Sequence, residues 1–224
     1  MSLLELLFPL RCAACGEPGN ELCERCRERL PRLCGPLCER CGAPTAWPVA
    51  RCLECSGRRI AFASARSALL YAGAVPSLVG AWKERGLRRL AAVLAELVSE
   101  TIPPPQVKAL TCVPAQHERA LSRGFHPARA LALELARIWE LPFVPLLERV
   151  GSPRRQRGLA LSERSRNVAG AFVTFSGARP PINICLIDDV YTSGATTSAC
   201  ASALRKVGCR RVEVVALARA VRER

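Results

Sequence analysis

The stretch from Ile182 to Thr197, INICLIDDVYTSGATT, constrains the fold of this chain more than any other. Its apolar run, Ile182 to Ile187, has the length and near-continuous hydrophobicity of a strand buried on both faces of a parallel sheet. Two adjacent acids follow, Asp188 and Asp189. They are the only aspartates in 224 residues, beside seventeen glutamates, so the short carboxylate is placed here for its reach rather than supplied by composition. Thr192, Ser193, Gly194, Ala195, Thr196 and Thr197 come next, all small, and Ser198 to Val207 reads as a helix. A strand-to-helix turn of this kind faces free backbone N–H groups and the positive end of the helix dipole toward whatever docks there. Glycine allows close approach of the main chain, hydroxyls add donors, and nothing bulky blocks entry, which makes the loop a phosphate cup. A generic turn with Asp189 as a local cap is the simpler alternative, and it leaves the acid pair unexplained. No lysine follows the glycine, so the motif is not a Walker loop.

The cysteines divide the chain. Nine of the thirteen fall before residue 56, and eight of those form four Cys-x-x-Cys pairs: Cys12 with Cys15, Cys23 with Cys26, Cys38 with Cys41, and Cys52 with Cys55. A two-residue gap lets both thiolates face one ion, and two such knuckles make the tetrahedral all-cysteine site that zinc prefers. Sequential pairing gives two structural zinc sites, one from Cys12, Cys15, Cys23 and Cys26 and one from Cys38, Cys41, Cys52 and Cys55, with interleaved pairing as the alternative. Cys34 is left over as a free thiol. We therefore expect a double zinc-ribbon domain over 1–60 and a second domain over 61–224. A disulfide framework would need an oxidising compartment. Met1 to Leu10 lacks the basic start and length of an export signal, and no run approaches a membrane span, so the expected location is cytoplasmic, with reduced, metal-bound cysteines.

Zinc also changes the charge account. The chain is basic, with a formal net charge of +14. Residues 1–60 hold nine arginines and seven glutamates, and with eight thiolates and two zinc ions the loaded ribbons carry about −2. Residues 61–224 hold 24 basic and 12 acidic residues, so the basic surface is expected on the second domain. Arginine outnumbers lysine thirty to three, so part of this charge reflects coding bias.

Ser67 to Gly73 reads as a strand. Pro76 to Arg85 and Leu87 to Glu100 read as helices broken at Gly86, with Leu78, Val79, Trp82, Leu90, Val93, Leu94, Leu97 and Val98 on apolar faces. Leu110 to Val113 and Val212 to Ala218 are further strands, and Cys112, Cys185, Cys200 and Cys209 lie in or beside apolar elements as core thiols. This order of elements predicts an α/β fold with a mostly parallel sheet and a ligand over its carboxyl edge. Cys112 to Ala136 sets a strand end, a turn with Arg119 and Arg123-Gly124-Phe125, and a helix in succession. Glu148 to Arg166 holds six arginines against two glutamates, with Gly151, Pro153 and Gly158 working against regular structure. It reads as a basic loop that closes over polyphosphate, or as a solvated charge run. His117 and His126 are poor candidates for zinc, since eight cysteines already satisfy two ions. Lys83 by itself reads as a solvated helix lysine.

Apolar strand, acid pair, small hydroxylic loop and helix, in that order, resemble the phosphoribosyl pyrophosphate (PRPP) binding motif of type I phosphoribosyltransferases. That resemblance implies a parallel sheet with helices on both faces. More narrowly, Arg119 followed by Arg123-Gly124-Phe125 resembles the ComF family, with His126 and Pro127 standing where that family usually has Asn and Gln. Pro127 suits the first turn of a helix, so the departure is tolerable. The order Arg149, Gln156, Leu161, Arg164, Asn167, Phe172, together with Tyr71, Lys83 and the cysteine knuckles, extends the resemblance over nearly the whole chain.

The resemblance implies PRPP or ribose 5-phosphate as ligand. Asp188 and Asp189 would orient the ribose as the catalytic acids. Thr192 to Thr197 would fix the phosphate, and Lys83, Arg119, Arg123, Arg149 and Arg164 would bind the pyrophosphate side, with Mg2+ bridging substrate oxygens. It also implies handling of incoming single-stranded DNA during natural transformation, beside a helicase-like partner. Turnover stays open: an active salvage phosphoribosyltransferase and a PRPP-responsive interaction protein without turnover are the alternatives, and no acceptor pocket is legible.

Overall fold

A computed structural model of the chain describes residues 10–115, 124–150 and 170–221. Its strands are β1 (Ser64–Leu70), β2 (Leu110–Cys112), β3 (Leu147–Arg149), β4 (Phe172–Thr174), β5 (Asn183–Tyr191) and β6 (Arg211–Arg219). The helices are α1 (Glu24–Glu28), α2 (Val75–Glu84), α3 (Leu90–Thr101), α4 (Pro127–Ile138) and α5 (Ala195–Lys206). Four strands form one sheet in the order β1-β6-β5-β2, with every neighbouring pair parallel. β3 and β4 form a separate antiparallel pair.

Alternation along the central strands explains their near-continuous apolar runs. Cys185 and Ile187 of β5, with Val215 and Leu217 of β6, enter a core shared with α2, α3 and α4. Ile184 and Leu186, with Val212, Val214 and Ala216, enter a second core on the opposite face with α5, β3 and β4. Strands covered on both sides have no polar face to show. The helices supply the complementary stripes: Leu78, Val79 and Trp82 from α2, and Leu90, Leu94, Leu97 and Val98 from α3, are all buried. Each full burial of such a side chain contributes roughly 1.5–3 kcal/mol. Cys112, Cys185, Cys200 and Cys209 are buried in these cores as expected, and burial pushes the Cys112 thiol up to about 12.

The cysteine-rich segment does not stand apart from this sheet. Cys12, Ala13, Leu22 and Leu30 join the first core, whereas Cys38, Cys41, Ala43 and Cys55 join the second. Between them the backbone runs along β1. Leu33 N–H donates to Ala68 O at 2.8 Å, Leu70 N–H to Pro31 O at 2.7 Å, and Ala65 N–H to Arg40 O at 2.9 Å. These bonds occupy the open edge of β1, which would otherwise offer unpaired groups to another chain. Gly42 lies at a close approach: at φ 68° it packs so tightly on β1 that a Cβ there would meet Ala65 O at 2.5 Å.

Several boundaries differ from the sequence expectation. β5 runs on through both aspartates to Tyr191 instead of stopping at Ile187, because β6 pairs with it in unbroken register as far as Tyr191 and Arg219. α5 starts at Ala195, three residues early, since Ala195, Thr196 and Thr197 are small enough to form its first turn. β1 begins at Ser64 and ends at Leu70, and α3 begins at Leu90, after the turn at Gly86. Glu148 and Arg149, expected in an irregular loop, lie in β3 and pair with Val173 and Phe172. Residues 151–166 of that loop, and the turn carrying His117, Arg119 and Arg123, lie outside the described residues.

Candidate functional site

Two cysteine clusters and the small-residue turn before α5, the expected cup, are assembled on this scaffold. The eight knuckle cysteines group sequentially, Cys12, Cys15, Cys23 and Cys26 in one cluster and Cys38, Cys41, Cys52 and Cys55 in the other. Within each cluster all four sulfurs lie within 4.8 Å of one another. Cys15 and Cys23 Sγ are 3.7 Å apart, Cys38 and Cys55 3.6 Å, and Cys41 and Cys52 3.5 Å. A zinc ion with Zn–S bonds of 2.3 Å needs tetrahedral edges of about 3.8 Å, so the donor sets fit zinc, and none of the cysteines is in a disulfide. Backbone N–H groups aim at the first sulfur of each set: Cys23 N–H at Cys12 Sγ (3.4 Å) and Cys52 N–H at Cys38 Sγ (3.3 Å). Burial alone would raise these thiols, but the converging N–H groups outweigh it and bring Cys12 down to about 6 and Cys38 to about 7. Each cluster therefore has one sulfur whose thiolate form the backbone donors favour. His126 belongs to neither: it caps α4, where its side chain accepts from Arg129 N–H at 3.1 Å. Metal analysis of protein purified under reducing conditions should return two zinc ions per chain; a ratio near one would mean that one cluster is vestigial.

At the carboxyl end of β5 the acid pair and the cup meet a cation from α2. Lys83 Nζ lies 2.6 Å from Asp189 Oδ1, so this lysine is not the solvated residue its helix position suggested. Asp189 Oδ1 also accepts from Val190 N–H at 2.6 Å, and Asp188 Oδ1 from Asp189 N–H at 2.9 Å. Burial and the neighbouring Asp189 push Asp188 up to about 7, against an ordinary 3.8. Gly194 takes the left-handed conformation (φ 71°) as N-cap of α5, and Thr197 Oγ1 donates back to Gly194 O at 3.1 Å. The cup is thus the turn Thr192–Gly194 plus the N–H groups of Ala195, Thr196 and Thr197 in the first helical turn, whose amides have no partner within the helix. Among the described residues no third carboxylate, thiol or imidazole joins the acid pair to complete a metal site. A Mg2+ here would find two carboxylates, Asp188 and Asp189, and would complete its shell with water or ligand oxygens.

Of the remaining expected ligands, Arg149 stands on β3 with its guanidinium 5.3 Å from the centroid of the Phe172 ring. It lines a cavity of about 340 Å³ at the end of β2 with Thr111, His126 and Arg129. Arg119, Arg123 and Arg164 lie outside the described residues.

The site contains residues that the sequence reading did not single out. Arg219, one residue past the expected strand Val212 to Ala218, is the last residue of β6 and 1% exposed. Its Nη1 donates to Cys41 O at 2.6 Å, and its Nη2 lies 2.5 Å from Glu54 Oε2 and 3.8 Å from Cys41 Sγ. The guanidinium sits 4.7 Å from the centroid of the Tyr191 ring. Tyr191 in turn fills the space behind the cup: a Cβ on Gly194 would fall 2.2 Å from its hydroxyl. A second tie runs from Arg58, three residues past Cys55, whose Nη2 donates to Ser193 O at 2.6 Å. A third joins Ala61 N–H to Ser198 Oγ at 3.1 Å. The second cysteine cluster and the Thr192–Thr197 turn are therefore tied together by hydrogen bonds.

Known proteins match both halves of this arrangement. The double zinc ribbon domain family matches residues 3–57. "Competence protein F" of Haemophilus influenzae is 27% identical over 227 residues, covering 95% of this chain and 98% of that protein. "Competence protein ComFC" of Bacillus subtilis is 28% identical over 201 residues, covering 86% of this chain and 81% of that one. "DNA utilization protein YhgH" of Salmonella typhi is 27% identical over 211 residues, covering 88% and 90%. A solved adenine phosphoribosyltransferase overlays 62% of this chain and 75% of its own at 15% identity, with a TM-score of 0.36. That overlay is too loose to argue from, and the fold rests on the strand order itself. With a double zinc ribbon at its start, the chain is similar along nearly its full length to the competence proteins F and ComFC.

Proposed function

We propose that this protein handles single-stranded DNA during natural transformation and does so as a PRPP-binding, phosphoribosyltransferase-type protein of the cytoplasm. The observation that carries the PRPP reading is the meeting of Lys83, Asp188 and Asp189 with the Thr192–Thr197 cup at one sheet edge. The relatives named for competence and DNA utilisation support the DNA reading. In this reading the 5-phosphate of PRPP or ribose 5-phosphate takes the N–H groups at the start of α5, and the ribose hydroxyls donate to Asp188 and Asp189. Lys83 holds Asp189 in place and lends positive charge to the pyrophosphate side, with Arg149 and the arginines at 119, 123 and 164. Mg2+ bound to pyrophosphate oxygens would neutralise the leaving group. The chain's own part is positioning and electrostatics. A helicase-like competence protein is the partner to seek.

The second reading is an active salvage enzyme, favoured by the same acid pair. In that case a nitrogenous base displaces pyrophosphate at the anomeric carbon. Pyrophosphate release measured with PRPP, Mg2+ and a panel of bases, run beside single-strand binding, separates the two: turnover with one base and no DNA binding would replace the first reading by the second.

The Asp188 shift gives the ligand a pH signature. The folded protein holds this proton up to about pH 7, the unfolded chain only to 3.8, so the stability it contributes is full below 3.8 and is lost as pH rises through 7. The carboxylate accepts from a ribose hydroxyl about twice as strongly as the neutral acid, so binding favours loss of the proton. PRPP affinity should rise, by at most about tenfold per unit, up to pH 7 and level off above it. Calorimetric titration between pH 5.5 and 8.5 checks this, and a flat profile would remove Asp188 from the ribose contacts.

A further inference from the structure

A cavity larger than two others, of about 690 and 340 Å³, lies behind the cup, between the second zinc cluster and the outer face of α5. It measures about 820 Å³ and is lined by Arg51, Arg58, Arg59, Ser198, Ser202 and Lys206, above a floor of small and apolar side chains. Four cations and no acid line it. In the other two, acids accompany the cations: Glu213, paired with Arg211 at 2.8 Å, in one and Glu148, beside Arg149, in the other. A basic composition alone would give all three the same character. Gathering cations without a counter-charge costs stability, and an anion in the cleft relieves it.

We infer that this cleft is a phosphate-tracking site for the backbone of single-stranded nucleic acid, resting on the DNA-handling function proposed above. The volume exceeds what one phosphate needs and suits a short run of nucleotides. The cations come from two elements, Arg51, Arg58 and Arg59 from the ribbon and Lys206 from the last turn of α5, so they flank a path instead of converging on a point. Phe172 is buried and offers no stacking face, so the site reads phosphates and leaves base identity unread. The ribbons thereby contribute to binding although their zinc-loaded net charge is negative: the arginines that matter are gathered on one side, and net charge does not register where they stand.

The test uses the full zinc-loaded chain, a fluorescent oligothymidylate and the triple variant Arg51→Ala, Arg59→Ala, Lys206→Ala. Arg58 is left intact because it also holds Ser193. The variant should bind at least tenfold more weakly in 50 mM salt, with the slope of log affinity against log salt reduced by about 2, as three lost phosphate contacts require. Its PRPP-dependent melting shift should stay as in the parent, and Arg51→Lys with Arg59→Lys should restore binding. If the parent binds DNA and the triple variant binds equally well, the cleft is not the track while the proposed function stands. If the parent does not bind the oligonucleotide at low salt, the function reading fails and the inference with it. Binding of tripolyphosphate in the cleft without the oligonucleotide would likewise overturn it.

Discussion

Replacing Asp188 and Asp189 together by Asn should remove the rise in melting temperature expected with PRPP. The substitution keeps volume and removes the charge that accepts from the ribose hydroxyls, weakening each bond by roughly 1.5–3 kcal/mol. Two such losses exceed the ~2.7 kcal/mol that a ligand at a hundred times its Kd contributes to stability. A shift of about 5–10 °C, expected for a domain of this size, should therefore vanish. Two opposing local effects keep the comparison clean. Asn at 188 relieves a carboxyl that burial already disfavours, while Asn at 189 leaves Lys83 without its 2.6 Å partner. The ligand-free melting temperature should move little, and a double variant that shifts as much as the parent would show that the acids do not hold ribose.

Arg219→Leu is the most damaging single change outside the knuckles. It strands Glu54, leaves Cys41 O without its donor and takes the cation from the Tyr191 ring. Removing one partner of a buried pair costs about 3–5 kcal/mol, and Glu54 retains some exposure, so about 3 kcal/mol and a fall of roughly 6–12 °C are expected. Lysine keeps the charge but cannot bridge Cys41 and Glu54 from one planar head, so Arg219→Lys should recover only part of it. The informative readouts are zinc and ligand together. A chelator should strip one of the two zinc ions faster than from the parent, and the same variant should respond less to PRPP. Gly194→Ala separates the two ends: its Cβ would collide with Tyr191, so ligand response should drop while both zinc ions stay. Loss of stability in Arg219→Leu with zinc retention and ligand response intact would refute the link.

Local signals made the sheet, the zinc clusters and the small-residue turn into α5 legible in sequence. A buried parallel strand writes itself as an apolar run, a zinc knuckle as a two-residue gap, and a phosphate cup as small residues before a helix. The place of Lys83 was not legible from its helix, because only the packing of α2 against the end of β5 brings it to Asp189; resemblance alone pointed there. Arg58 and Arg219 were missed for the same reason, since their partners lie 135 and 165 residues away. A faint trace existed. Arg219 closes an apolar run, VEVVALAR, at the position where β6 pairs with Tyr191, and a charge at the inner end of a strand buried on both faces has to find a partner.

The position of β6 sets a timetable for making the protein. This strand lies between β1 and β5, so neither of its neighbours is paired on that side until it is delivered. Cys55 completes the second metal cluster 156 residues before β6 begins at Arg211, a gap of roughly 10–30 s at ordinary rates of synthesis. Zinc can thus be taken up by knuckles on a nascent chain whose sheet does not yet exist. The metal-held segment, with its residues along the future edge of β1, waits as a preformed lip against which the late strand closes. A cell short of zinc would accordingly release chains in which β6 arrives to find its anchor, Cys41 and Glu54, unformed.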